Sequence, residues 1–359
     1  MAKINDFLIK MLNMEGSDLH LSVGSPPKIR ASGTLIPLEG EEVIHADLMK
    51  DIMQEICSEK RWNQYCDKKD LDFAHEIPGV ARFRANYLYN YWGKAAVLRQ
   101  IPSKILSLED LNLPKVFKNI AQTKEGLVLV TGPTGSGKST TLAAIIDYIN
   151  THFEKHIITI EDPIEFVHQN KKAVIVHREV GEHCNTFGRA LRGAMRADPD
   201  IILIGEMREL ETIQLALKCA TMGMLVFGTL HTNNAPKTID RIVDAFPAEE
   251  QNQIRVMLAS CLEGVVSQLL CKRTDKGRIA VHEILLKHEA LPHTIRQGAI
   301  ANIRNIIEGG QEYGMCSMDG TLHKRLQEGV ISPEVAYMKA NDKASFKSYL
   351  PKGRSVSGS

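Results

Sequence analysis

Between residues 80 and 89 apolar and polar side chains alternate without a break. Ala81, Phe83, Ala85, Tyr87 and Tyr89 fall on one face, and Arg82, Arg84 and Asn86 on the other. That period of two predicts a half-buried strand. A turn at 90–94 then leads to a partner strand, 95–100, which carries Arg99. Alternation also predicts a strand over 18–23, and a further strand is expected at 32–38. Near the start, Ile4, Phe7, Leu8, Met11 and Leu12 recur at helical spacing, and a second helix is predicted over 47–65 with Leu48, Ile52 and Ile56 on one side. Residues 1–101 therefore read as a small α+β domain.

From Gly126 the pattern changes. Short apolar runs at 127–131, 156–161, 201–204, 225–230 and 279–286 are separated by helical segments at 138–150, 187–197, 210–221 and 236–269, the last broken near Pro247. Strands of this kind, alternating with helices, predict a largely parallel sheet covered on both faces. In such sheets ligands sit beyond the carboxyl ends of the strands. The core domain is read as 126–288, joined to the first by a linker at 102–125. Within the linker, Ser107-Leu108-Glu109-Asp110 has the spacing of a capping box for a short helix. Residues 289–350 are predicted to be a helical region, with Ser332-Pro333-Glu334 as a late helix start. The polar, Gly/Ser-rich 351–359 is expected to be a disordered tail.

The chemistry begins where the first core strand ends. Leu127–Thr131 runs into Gly132-Pro133-Thr134-Gly135-Ser136-Gly137-Lys138-Ser139-Thr140. A strand, a glycine-rich turn and a helix start make the phosphate-binding loop of a nucleoside triphosphatase. The glycines bring backbone N–H groups close to phosphate oxygens, and the helix dipole points at the same oxygens. Lys138 is placed to reach the β- and γ-phosphates, and the Ser139 hydroxyl to hold Mg²⁺.

Three later strands end in acids or an imidazole: Glu161-Asp162-Pro163-Ile164-Glu165, Gly205-Glu206 and His231-Thr232. One such residue alone is ordinarily a solvated side chain. Their joint arrival beside a phosphate loop meets the needs of phosphoryl transfer to water, which are an in-line water, neutralised γ-oxygens and a metal. Glu206 is the candidate to polarise the water or to hold it through Mg²⁺. Glu161 and Glu165 are candidates to ligate Mg²⁺ through water. His231 is a candidate donor to the γ-phosphate. Asp200, at the opposite end of its strand, is read as structural.

Composition narrows the class. The 359 residues are 43% apolar and 24% charged with a formal net charge of +1, so no global basic field recruits nucleic acid. No apolar run is long enough to span a membrane, and the N-terminus lacks a signal-peptide core. The seven cysteines form no CxxC pair, so neither a zinc knuckle nor a disulfide framework is indicated. Reduced, mostly buried thiols in the cytosol are expected.

The phosphate loop, the run Ile158–Glu165, the run Asp198–Arg208 and the run Gly228–Thr232 resemble, in order, the Walker A, Asp-box, Walker B and His-box segments of the secretion ATPase superfamily. Gly16-Ser17-Asp18-Leu19-His20 and Arg178-Glu179-Val180-Gly181 belong to the same resemblance, which covers about residues 3–345. Within the superfamily the chain is most similar to the type IV pilus retraction ATPases, the PilT group. The chain is short, and its cysteine spacing cannot make the four-cysteine metal site common among extension and type II secretion relatives.

The resemblance implies a PAS-like N-terminal α+β domain, a RecA-like P-loop domain, and ATP and Mg²⁺ as ligands. It implies a hexameric ring in the cytoplasm, peripheral at the inner-membrane base of a pilus machine, with a platform protein and a paralogous retraction ATPase as partners and no nucleic acid. Each nucleotide would lie between the two domains of a subunit and near the N-terminal domain of its neighbour. Arg82, Arg84 and Arg99 match family arginines that approach the nucleotide, where they stabilise developing charge. An extension or type II secretion ATPase, or a weakly hydrolysing regulatory ring subunit, are the alternatives. The chain departs from the family in having Met224 where a histidine is usual, Glu209 where an aspartate is common, and only a loose match at Ala290–Arg296.

Overall fold

A computed structural model describes residues 2–31, 33–101 and 104–350. Ser32, the start of the linker at 102–103 and the tail at 351–359 lie outside the described residues. The chain divides into two compact units. One takes in the chain up to Lys104 and the later segment Asp162–Val167; the other takes in Ile105–Glu161 and the chain from His168 onward.

The first unit is an antiparallel six-stranded sheet with helices. Its strands are β1 (Gly16–Ser22), β2 (Lys28–Ala31), β3 (Thr34–Pro37), β4 (Asp70–Ile77), β5 (Ala81–Asn90) and β6 (Gly93–Ile101), in the order β3-β2-β1-β6-β5-β4. The alternation over 80–89 is realised in β5. Ala81, Phe83, Ala85 and Tyr87 are buried, whereas Tyr89, beside the hairpin turn, is half exposed. Tyr87 is the centre of this core: its ring meets Phe73 edge-on at 5.0 Å, and its hydroxyl donates to Met53 O at 2.8 Å. The first helix, Lys3–Asn13, buries Ile4, Phe7, Leu8 and Met11, as its spacing predicts.

Two expectations for this unit fail. The helix predicted over 47–65 is two helices, Ala46–Gln54 and Glu59–Lys68, because Ser58 caps the second by accepting from Arg61 N at 3.4 Å. Strands β2 and β4 were not foreseen. In β4 the alternation is masked by charged residues that pair across the strand with β5.

The second unit carries a seven-stranded sheet. Its strands are β7 (Gly126–Thr131), β8 (His156–Glu161), β9 (Val174–Glu179), β10 (Ile201–Ile204), β11 (Leu225–Leu230), β12 (Leu262–Lys272) and β13 (Arg278–Leu286). The order is β13-β12-β7-β11-β10-β8-β9, parallel throughout except for the β12–β13 pair. The central strands are wholly buried, packed by helices such as Lys138–His152 and Leu210–Thr221. Beyond β13 the regular elements are short helices, among them Met318–Gln327 and Pro333–Lys339, the latter capped by Ser332. Among the described residues no helix is long and apolar enough to cross a membrane.

Here too the pattern misled in places. The helical segment expected at 236–269 consists of helices Ala235–Val243 and Ala248–Cys261, and then turns into strand β12. A strand buried on both faces shows no alternation, so its apolar run reads as a continuation of the helix before it. The capping box does form: Asp110 N donates to Ser107 Oγ at 3.0 Å, and Ser107 N to Asp110 Oδ2 at 3.1 Å. It closes a turn, and the helix follows later at Val116–Ala121. Edge strand β9 was also not foreseen. Of the cysteines, Cys219, Cys261 and Cys271 are buried and Cys66 is exposed.

Candidate active site

Register decides what reaches the ligand-binding edge. Thr131 of β7 pairs with Leu230 of β11, Gly228 of β11 with Ile204 of β10, and Ile204 with Ile160 of β8. Four parallel strands therefore end side by side. The phosphate loop follows β7, His231 follows the adjacent β11, Glu206 follows β10 in turn, and Glu161 closes β8.

The loop has the backbone that a phosphate cradle needs. Gly132, Gly135 and Gly137 have φ of 141°, 77° and 88°, and Gly137 is the N-cap of helix Lys138–His152. A Cβ on Gly132 would lie 2.3 Å from Gln268 O and 2.7 Å from Ser136 Oγ, so only glycine fits there. Lys138 Nζ donates to Gly132 O at 2.8 Å and to Pro133 O at 3.2 Å, which holds the ammonium over the loop. Pro133, Thr134 and Gly135 are exposed, and Ser139 and Thr140 half-buried, on the first helical turn. Ser136 is buried, and its hydroxyl has no hydrogen-bond partner among the described residues. A buried hydroxyl of this kind in a glycine-rich loop suits an oxygen-rich ligand.

Glu206 and His231 meet. Glu206 Oε1 lies 2.7 Å from His231 Nε2, and the same oxygen accepts from Arg208 Nε. Burial pushes the Glu206 carboxyl upward, but the hydrogen bonds and charges of Arg208 and then His231 outweigh it and hold the group below its usual range. Glu206 is therefore an ionised acceptor at neutral pH. The backbone beside it is stitched to the strand of His231: Met207 N donates to Thr229 O at 3.0 Å, and Thr229 Oγ1 donates to Gly205 O. Met207 is buried over Gly228, where a Cβ would lie 2.3 Å from its sulfur.

The remaining candidates are placed as follows. Glu161 is half-buried, paired in register with Glu179 of β9. Glu165 is half-buried in the segment Asp162–Val167, which belongs to the first unit. Arg82 and Arg84 on β5 and Arg99 on β6 also belong to the first unit, and each faces a carboxylate there. Arg82 Nε is 3.4 Å from Glu76, Arg84 Nε 3.4 Å from Asp72, and Arg99 Nε 2.6 Å from Asp18. Arg82 Nε and Nη1 are buried without a hydrogen bond among the described residues. At the opposite end of the core sheet, Asp200 accepts from Lys155 Nζ at 2.8 Å and His156 N at 2.9 Å, a structural tie between β10 and β8.

Met224 immediately precedes β11, and its carbonyl accepts from Gly126 N at 3.0 Å. The departure thus lies at the amino edge, about 20 Å of extended strand from His231. Two residues were missed. Arg208 stands two positions after Glu206 and was visible as a cation beside the acid. Gln268 was hidden because its segment was expected to be helical.

Residues 52–277 match the family model described as Type II/IV secretion system protein. The chain is 49% identical over 348 residues to the type IV pilus retractation ATPase PilT of Pseudomonas aeruginosa, covering 96% of this chain and 99% of that one. It is 48% identical over 320 residues to a twitching motility protein of Neisseria gonorrhoeae, covering 89% and 85% respectively. A crystal structure of the pilus retraction motor PilT with bound ADP superposes with a TM-score of 0.88 at 40% identity, covering 95% of this chain and 97% of that one.

Proposed function

The chain belongs to the type II/IV secretion ATPase family, in its pilus-retraction group, and on that premise we propose that it is a Mg²⁺-dependent ATPase whose hexameric ring powers the retraction of a type IV pilus. The observation that carries this reading is the Glu206–His231 pair, set at the same sheet edge as the phosphate loop by in-register strands.

In this reading the loop amides and the helix dipole of Lys138–His152 seat the β-phosphate. Lys138 leaves its loop carbonyls for the β- and γ-oxygens. Ser139, with Glu161 and Glu165 through water, would hold Mg²⁺, which would supply neutralisation of phosphate charge. Ionised Glu206 accepts a proton of the attacking water and aims its lone pair at phosphorus, with no need for an unusual pKa. His231 orients Glu206 and offers a donor towards the γ-phosphate. Arg82, Arg84 and Arg99 leave their carboxylate partners to stabilise charge on the transferred group in the assembled ring.

The cycle would pull on a platform protein at the inner membrane from the cytoplasmic side, in some machines alongside a paralogous ring. Met224 offers little support for a non-hydrolysing subunit, since it stands at the sheet edge opposite the chemistry. The test is ATP turnover by the purified chain with and without Mg²⁺, beside the same chain carrying Glu206→Gln. The native chain should turn over only with Mg²⁺, and the variant should bind ADP normally and turn over about 10²–10⁴-fold more slowly. Equal turnover by both removes Glu206 from the mechanism; no turnover by the native chain removes the motor reading.

A further inference from the structure

Behind the phosphate loop lies a polar side chain that the mechanism above does not use. Gln268 is 2% exposed, in β12 between the buried Ser267 and the half-buried Leu269. Every polar atom of its amide is engaged. Its Nε2 donates to Ser136 O in the phosphate loop at 2.7 Å. Its Oε1 accepts from Thr141 Oγ1, in the first turn of the loop's helix, at 2.8 Å, and lies 3.1 Å from His282 Nε2 on β13.

Only one amide orientation satisfies these partners, because a carbonyl oxygen must be met by a donor and Thr141 and His282 lie on the same side. Burial keeps His282 neutral, pushing it down to about 3, and its Nε2–H is then the donor. The His282 carbonyl is held in turn by Thr321 Oγ1 at 2.7 Å, from helix Met318–Gln327. The amide also lies close against the loop backbone: a Cβ on Gly137 would lie 2.9 Å from Gln268 Nε2.

We infer that Gln268 is a positioning residue for nucleotide binding: by gripping the Ser136 carbonyl and Thr141 hydroxyl, it fixes the curvature of the phosphate loop so that the loop amides converge on the β-phosphate. It acts through the loop, not on the substrate. The loop's shape is thereby anchored to the C-terminal helices through His282 rather than held by the loop's own bonds alone. A purely packing role would need neither the donor nor the acceptor, and would be met by an apolar side chain of equal length.

This inference rests on reading Gly132–Thr140 as the phosphate seat, so the native chain is the first control. Titration with a fluorescent mant-ADP should show saturable binding to it; if it binds none, that reading fails before Gln268 is at issue. Gln268→Met keeps length and loses all three bonds. Gln268→Glu keeps the acceptor for Thr141 and His282 but sets an oxygen against the Ser136 carbonyl. Thr141→Val removes one bond and leaves the grip on Ser136.

The dissociation constant should rise about tenfold or more for Gln268→Met and Gln268→Glu and less than threefold for Thr141→Val. The KM for ATP should rise in step, while kcat at saturation falls less than threefold. Should Gln268→Met not fold, Gln268→Glu carries the test alone. Folded Gln268 variants that bind mant-ADP within twofold of the native chain, or a Thr141→Val loss equal to theirs, would overturn the inference.

Discussion

Glu206 is held by the Arg208 guanidinium and the His231 imidazole. Arg208 and His231 lower the proton affinity of its carboxylate, so in the proposed mechanism it would aim a water rather than accumulate protons before reaction. General base catalysis of that kind is worth about 10²–10⁴-fold, which sets the loss in kcat expected of Glu206→Gln. Asp18 shows the same contest in the first unit. Burial raises its carboxyl, but hydrogen bonds from Ser17 and Arg99 and the Arg99 charge hold it below its usual 3.8. A depressed folded pKa contributes stability that is complete above that usual value and is lost as pH falls through the folded one. Asp18→Asn should therefore cost about 1.5 kcal/mol at pH 7, the low end for a hydrogen bond to a charged group because Arg99 is largely solvated. The difference between variant and native chain should shrink as the pH falls below the usual carboxylate value. Hydrogen exchange of the β1 and β6 amides, followed at neutral and at acid pH, reads it.

At the scale of elements, what was legible follows from what each element buries. Helix Lys3–Asn13 and strand β5 each have one buried face, and their periods announced them. Strands β7, β10 and β11 are buried on both faces but are bounded by turn residues, so their apolar runs stood out. Strand β12 follows helix Ala248–Cys261 with no turn between them, and nothing local marks the change. Its fate is decided by pairing with β7 and β13, which periodicity cannot express. Gln268 was lost with it. The candidate site survived because its residues lie just past strand ends, where the loop motif and the acids are local in sequence. The start of helix Ala235–Val243, four residues past His231, is such a place. Asn234 is buried and accepts from Lys237 N at 2.8 Å, with proline in the first turn. Asn234→Ala removes the cap and should lower stability by about 1 kcal/mol, seen as a lower denaturant midpoint with an unchanged slope.

On the scale of the whole molecule, the chain divides its tasks between two units. The phosphate loop, Glu206 and His231 belong to one. The arginines that the family resemblance assigns to the nucleotide belong to the other, parked on Glu76, Asp72 and Asp18. Glu76 and Asp72 are exposed, so their ion pairs with Arg82 and Arg84 are worth little, whereas the Asp18 carboxylate that holds Arg99 is buried. A formal net charge of +1 supplies no global basic field.

The central claim is that phosphoryl cleavage at Glu206 is what draws the pilus back, and imaging of labelled pili in living cells tests it most directly. With Glu206→Gln as the sole copy of the chain, cells should keep surface pili at or above the native number while powered retraction events disappear. Cells that become bald, or that retract at the native frequency, would contradict the account.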